Sequence, residues 1–270
     1  MNNVENEWAI RLFNKSVLKQ QKLKQVTEFL GPTNKLHCLD IGGDNGVISY
    51  MLRRNGGDWV SADLDAASVA SIKQLVISDV YQIDGSSVPF RSNEFDRVAI
   101  VDFLEHIPDD EQFIAELYRV LKPGGVVVIN VPNIKDGLLR KLRNALGQTD
   151  EKHGHLRPGY TLKGLERLLG DKFVLVKSKT YSKFFSELID ILIVGMVSMF
   201  KGNDNKSSQK GIMVTDQDME RSPTMFRVYS MIYPFIRLFS MLDAFLFFRS
   251  GYMLIASAQV NKFQNSPEQL

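Results

Sequence analysis

Between Leu39 and Gly46 the sequence reads LDIGGDNG, an apolar run that ends in an acid and opens into a glycine-rich turn. Such residues let a backbone wrap a nucleotide-like ligand. Gly42 and Gly46 permit positive φ and close approach. Gly46 also opens the next helix, whose unpaired N–H groups suit a polar or anionic group. Asp40 can accept from loop amides or from a ligand ammonium. About 20 residues past the loop, Asp63 ends WVSADLD, where an acid can take ribose hydroxyls. Asp63 can equally be a turn acid, with Asp65 placed to cap the helix that follows. In QIDGSSVPF, Asp84 and Gly85 precede a turn, and Asp84 is either an acceptor for an amino group of a base or a solvated loop acid. A glycine turn alone is weak evidence.

Candidate proton acceptors are few, because the chain has four histidines. His37 falls in a strand pattern and reads as structural. His106, in LEHIPD, follows the fourth strand, either at the cleft or packed locally. His153 and His155 lie in DEKHGHLRPGY with Arg157 and Tyr160. That loop reads as a substrate contact, with a histidine as base or orienter and Arg157 for an anionic group. It reads equally as a solvated loop whose Thr161 caps the next helix. The HxH spacing lacks an evident third ligand, so no metal site is expected.

The elements that position these residues alternate. A helical pattern over 5–30 ends at Gly31-Pro32. KLHCLDIG, WVSADLD, FDRVAIVDF and VVVINVPN read as strands. GVISYMLRRNG, AASVASIKQLV and DDEQFIAELYRVLKPGG read as helices, the last with a Pro-Gly-Gly stop. Strand and helix alternating at these lengths predict a parallel sheet with helices on both faces. Past residue 150, YTLKGLERLLG is a helix, and KFVLVKSKTYS and GYMLIASAQV are strands. Between those strands lies an apolar, aromatic-rich stretch broken by KGNDNKSSQKG, which reads as a mobile loop. The expected organisation is an N-terminal helical segment (1–35), a core (36–182), an apolar helical insert (183–250), a final core strand (251–262) and a tail (263–270).

Composition narrows the classes. With 270 residues, 44% hydrophobic and 24% charged, the chain should fold. A net charge of +2 gives no general reason to expect nucleic acid as a partner. The single cysteine, Cys38, excludes an internal disulfide framework. No basic region followed by an apolar run opens the sequence, so a reducing, cytoplasmic setting is expected.

Taken together, LDIGGDNG, SADLD, IDGSSVPFRSNEFDRV, DFLEHIPD and LYRVLKPGGVVVINVPN resemble, in order and spacing, the class I S-adenosylmethionine-dependent methyltransferases. Within that family the chain looks like the quinone and small-molecule group, over about residues 36–182. The resemblance implies an α/β fold with a doubly wound, mostly parallel seven-stranded sheet, to which this chain adds a helical insert between the last two strands. It implies S-adenosylmethionine as cofactor. Asp40, Gly42, Gly43 and Gly46 would hold its methionine part, Asp63 its ribose, and Leu64 would lie beside the adenine. Asp84 and Gly85 would meet the adenine edge, and Asp102 would border cofactor and substrate, with His106, His153 or His155 as further catalytic candidates. Asp44 departs from the usual pattern. The cofactor carries no phosphate for it to repel, its carboxylate could help bind the cofactor's ammonium or sulfonium charge, and Asp tolerates unusual backbone angles better than most residues.

The insert 183–250 should leave and rejoin the sheet at the carboxyl ends of the parallel strands, where ligands bind, and so act as a lid or collar. FFSELIDILIVGMVSMF carries Glu187 and Asp190 and is too acidic for a membrane span. Pro234 should kink or break the aromatic stretch after it. Arginines among its aromatics suit a membrane interface, and a buried cap or a homodimer contact would use the same apolar faces. The expected function is therefore methyl transfer to an amphipathic or lipid-linked small molecule, in the cytoplasm or peripherally on the inner membrane face. The competing reading is a non-catalytic scaffold that keeps the fold.

Overall fold

Central strands of a parallel sheet are covered on both faces, and their sequences are correspondingly apolar throughout. In the computed structural model, which describes residues 7–43, 45–76, 79–135, 137–150, 154–201 and 223–262, β1 (His37–Ile41), β2 (Asp58–Asp63), β3 (Val80–Gln82), β4 (Phe95–Val101) and β5 (Leu121–Pro132) form such a sheet. Cys38, Leu39, Ile41, Val98, Ala99 and Ile100 are all buried. The strands pair in parallel, Leu39 of β1 lying beside both Val60 and Val98. Burial pushes the Cys38 thiol up to about 12, so it stays protonated and unreactive.

Two further strands complete a seven-stranded sheet of order β3-β2-β1-β4-β5-β7-β6, with β6 at Phe173–Tyr181 and β7 at Met253–Val260. Asn261, just past β7, donates its N–H to Lys172, just before β6, at 2.8 Å. At the other end Tyr252 donates to Ser182, also at 2.8 Å. So β7 runs antiparallel to β6. It is antiparallel to β5 as well, because Asn133 after β5 donates to Tyr252 before β7. The architecture is the doubly wound, mostly parallel seven-stranded sheet that the family resemblance implies, with the parallel part that the strand–helix alternation predicts.

The helices are α1 (Trp8–Phe13), α2 (Val17–Leu30), α3 (Val47–Arg54), α4 (Ala66–Val76), α5 (Asp110–Val120), α6 (Leu138–Ala145), α7 (Leu162–Leu169), α8 (Phe184–Lys201) and α9 (Pro223–Met241). α3 packs with α4, and α5 with α7. The N-terminal helical segment consists of two helices. Asn14, Lys15 and Ser16 close α1 with turn hydrogen bonds, and the Ser16 hydroxyl then accepts from Lys19 N–H to start α2. α5 ends at Val120, short of the expected Pro-Gly-Gly stop. Pro123 disfavours helical angles at the residue before it, so the chain turns to strand earlier. At the other end of α5, Asp109 accepts from Gln112 N–H at 2.8 Å. Asp109→Ala is expected to lower stability by about 1 kcal/mol, read as a lower urea midpoint with unchanged m.

The chain divides into two compact units. One comprises Val26–Val131, Leu162–Lys179 and Ile255–Leu270, and holds most of the sheet. The other comprises Met1–Gln25, Pro132–Thr161 and Thr180–Leu254, and is mainly helical. In the helical unit, Trp8 meets Phe226 edge to face at 5.2 Å between ring centroids. Gln20 donates to the Tyr233 hydroxyl at 2.9 Å, and that hydroxyl's neighbour Tyr229 donates to the Lys15 carbonyl at 2.6 Å. These contacts carry α9 through Pro234 as one helix, where a break was one of two expected outcomes. The lost backbone hydrogen bond is offset by packing on both sides of it. The expected loop KGNDNKSSQKG lies outside the described residues, apart from Lys201 at the end of α8, and so does the tail.

Candidate functional site

At the end of β1, Asp40 is buried, and its carboxylate is fully engaged by the protein. Oδ1 accepts from the Ser49 hydroxyl at 2.5 Å, and Oδ2 accepts from the Ser61 hydroxyl at 2.7 Å. Arg53 reaches Oδ2 at 3.3 Å, and also donates to Ser61 Oγ and the Trp59 carbonyl. Burial pushes the Asp40 carboxyl up, against the opposing pull of Arg53 and the two hydroxyls. The acid expected to face the ligand thus ties β1, β2 and α3 together beneath the glycine turn.

The turn above it requires glycine for reasons of packing. Gly42 has φ 89°, and a Cβ there would strike the Val101 carbonyl oxygen and lie 3.2 Å from Phe103 Cβ. A Cβ at Gly43 would strike the Ser49 hydroxyl. Gly46, with φ 81°, caps α3 and lies against α4, where a Cβ would be 2.8 Å from Ile72 Cα. The backbone is therefore drawn down onto β4 and α4. Asp44 lies outside the described residues.

Three acids follow at the carboxyl ends of the next strands. Asp63 ends β2 and is fully buried, its Oδ1 accepting from Asp65 N–H at 3.3 Å. Beyond β3, Asp84 folds its own turn, Oδ1 accepting from Ser86 N–H, the Ser86 hydroxyl and Ser87 N–H. The Ser86 amide and the other two donors hold its carboxyl below the usual range, so it is ionised at neutral pH. Gly85, with φ 80°, packs where a Cβ would meet Ile107 at 2.6 Å and Leu64 at 3.1 Å. Leu64, Gly85 and Ile107 thus form one apolar cluster with Asp84 at its rim. Beyond β4, Asp102 takes φ 47°, an uncommon angle for a non-glycine residue. It is held there by Asn130, whose side-chain amide donates to Oδ1 at 2.9 Å and whose carbonyl accepts from Asp102 N–H at 2.9 Å. His106 follows in a short helical turn, Leu104–His106, and is half-buried.

This set suits the expected cofactor chemically. It offers a glycine backbone at the start of a helix, a strand-end acid for a diol, and an apolar cluster with an acceptor at its edge.

The remaining candidates belong to the helical unit. Tyr160 is buried and bridges to Asn133 after β5. Arg157 donates to the Tyr160 hydroxyl at 2.9 Å. His155 Nδ1 is 3.9 Å from Asp150, and its backbone N–H is bonded to the Asp150 carbonyl. His153 lies outside the described residues. Two acids that look out of place in apolar α8 are paired here: Glu187 with Lys135 at 2.7 Å, and Asp190 with buried Arg143 at 2.9 Å. Sequence reasoning missed these partners, along with Ser49, Ser61, Arg53 and Asn130. The available signals were Ser49 and Arg53 one helical turn apart on α3, and basic residues spaced along α6.

Residues 39–129 match the model of the methyltransferase domain family. The ubiquinone biosynthesis O-methyltransferase of Pseudomonas aeruginosa strain UCBPP-PA14 is 33% identical over 101 residues, which are 35% of this chain and 44% of that enzyme. The chain thus matches less than half the length of that relative. Among solved structures, the 4+2 cyclase SpnF superposes with a TM-score of 0.58 at 17% identity, over 90% of this chain and 80% of that one. The phosphoethanolamine N-methyltransferase 2 of Haemonchus contortus, solved with S-adenosyl-L-methionine, gives 0.55 at 18% identity, over 89% and 52%. At these identities the two structures establish the fold.

Proposed function

With a class I S-adenosylmethionine-dependent methyltransferase domain at its core, this chain is, we propose, an enzyme that methylates an amphipathic or lipid-linked small molecule. The observation that carries the reading is the row of acids Asp63, Asp84 and Asp102 at the ends of β2, β3 and β4, beside the Gly42–Gly46 turn. The ubiquinone-pathway relative supports an acceptor of this kind.

Bound S-adenosylmethionine supplies an activated methyl group on a sulfonium, so the protein's work is mainly positioning. Asp63 would hold the ribose hydroxyls. Leu64 and Gly85 would flank the adenine, with Asp84 at its edge. Gly42, Gly43 and Gly46 would bring backbone amides to the methionine part, on a floor fixed by Asp40. Asp102, oriented by Asn130, would face the reacting end, and His106 is the proposed proton acceptor. His155, Arg157 and Tyr160 are proposed acceptor contacts, with Arg157 meeting an anionic group. The proposed setting is cytoplasmic, peripheral on the inner membrane face.

Calorimetric titration with S-adenosylhomocysteine tests the reading. One saturable site per chain is expected. No saturable binding at millimolar ligand would sink it, leaving a scaffold that keeps the fold.

A further inference from the structure

We infer that one face of α9, with the aromatic turn after it, docks on an anionic lipid bilayer. The inference deepens the amphipathic-acceptor reading by naming a surface, and it stands on the helical unit alone.

α9 has two unlike faces. Phe226, Tyr233 and Ser240, each two helical turns from the next, are buried. They seat the helix beside α1 and the start of α2, through Trp8 and Gln20. The opposite stripe should be polar on a helix of a globular protein. Instead it carries Val228, Met231, Ile232, Phe235, Leu238 and Leu242, all exposed, Phe235 at 73%. The chain then turns through Phe245, Phe247 and Phe248, at 73%, 83% and 70% exposed. A contiguous apolar patch of this kind marks an interaction surface.

Charge selects the occupant. Arg227, Arg237 and Arg249 are exposed around the patch. The only acid between Pro223 and Ser250 is Asp243. Its carboxylate is taken by the backbone N–H groups of Lys183, Phe185 and Ser186 at the start of α8. A second copy docking by two-fold symmetry would set these arginines against their own equivalents, with Asp243 already engaged and no other acid on the element to pair them. An anionic headgroup layer accepts the arginines and the apolar stripe at once. Among the described residues no helix is long and apolar enough to cross a membrane, so α9 would lie flat in the interface.

The test is co-sedimentation of the full chain with vesicles of phosphatidylcholine alone or with phosphatidylglycerol. Binding is expected only to the anionic vesicles. Arg227→Gln, Arg237→Gln and Arg249→Gln together should weaken it about a hundredfold. Phe235→Ser with Phe247→Ser and Phe248→Ser should abolish it, while melting temperature and S-adenosylhomocysteine binding hold. Equal binding to neutral vesicles, or none to either kind, overturns the inference. So does a wild-type dimer that the Phe substitutions turn into a monomer, which would make the patch a contact between copies. Vesicle binding without S-adenosylhomocysteine binding would keep the docking surface and discard the methyl-transfer reading.

Discussion

Asp40→Ala is expected to lower stability by about 3–5 kcal/mol, the usual consequence of breaking a buried ion pair from one side. The substitution strands the Ser49 and Ser61 hydroxyls and leaves Arg53 without its anion, all within 3.3 Å of the missing carboxylate. Chemical denaturation reads the loss directly, and a cost below about 1 kcal/mol would show that the network is not structural. Arg53→Ala separates burial from pairing. Burial already pushes the Asp40 carboxyl above its unfolded value, and removing the arginine pushes it further in the same direction. A carboxyl raised on folding contributes stability below its unfolded pKa, and that contribution fades as pH rises through the folded one. The Arg53→Ala deficit should therefore be largest at neutral pH and shrink as pH falls. A deficit independent of pH would mean that Arg53 acts through its bonds to Trp59 and Ser61 instead.

Asp63→Ala should weaken S-adenosylhomocysteine binding at least tenfold, from loss of charge-assisted hydrogen bonds worth roughly 1.5–3 kcal/mol. Asp63 is fully buried at the end of β2, where its Oδ1 accepts from Asp65 N–H at 3.3 Å. Asp63→Asn keeps shape and one acceptor oxygen, and should fall between wild type and alanine. Melting curves separate this from general damage, because lost affinity with an unchanged transition localises the effect to the ligand. Alanine binding as tightly as wild type would remove Asp63 from the cofactor site.

The sheet was legible because each strand announces itself: VVVINV and VAIV are β-branched runs bounded by turns. The glycine turn was legible as well, since Gly42 and Gly46 both take positive φ. The partner sets were not. Asp40 and Arg53 are 13 residues apart, and Asp190 and Arg143 are 47 apart. Only folding brings them together, and no local periodicity encodes which base meets which acid. For the same reason Glu187 and Asp190 read as interruptions of an apolar helix, although each is an anchor. The helical continuity through Pro234 was hidden too, because it depends on tyrosine contacts with residues near the N-terminus.

The place of β7 between β5 and β6 has a consequence for how this protein is made. A ribosome releases β6 some eighty residues before β7, yet β6 has no neighbour in the sheet until β7 arrives. For that interval the nascent chain carries an unfinished edge at β5, with open backbone groups able to pair wrongly. Long-range pairings of this kind form late and slowly. The last step of assembly is thus insertion of a strand into a waiting gap. A chain halted before Met253 would keep β1 to β5 and leave β6 unplaced, exposing apolar surface for chaperones or proteases to find.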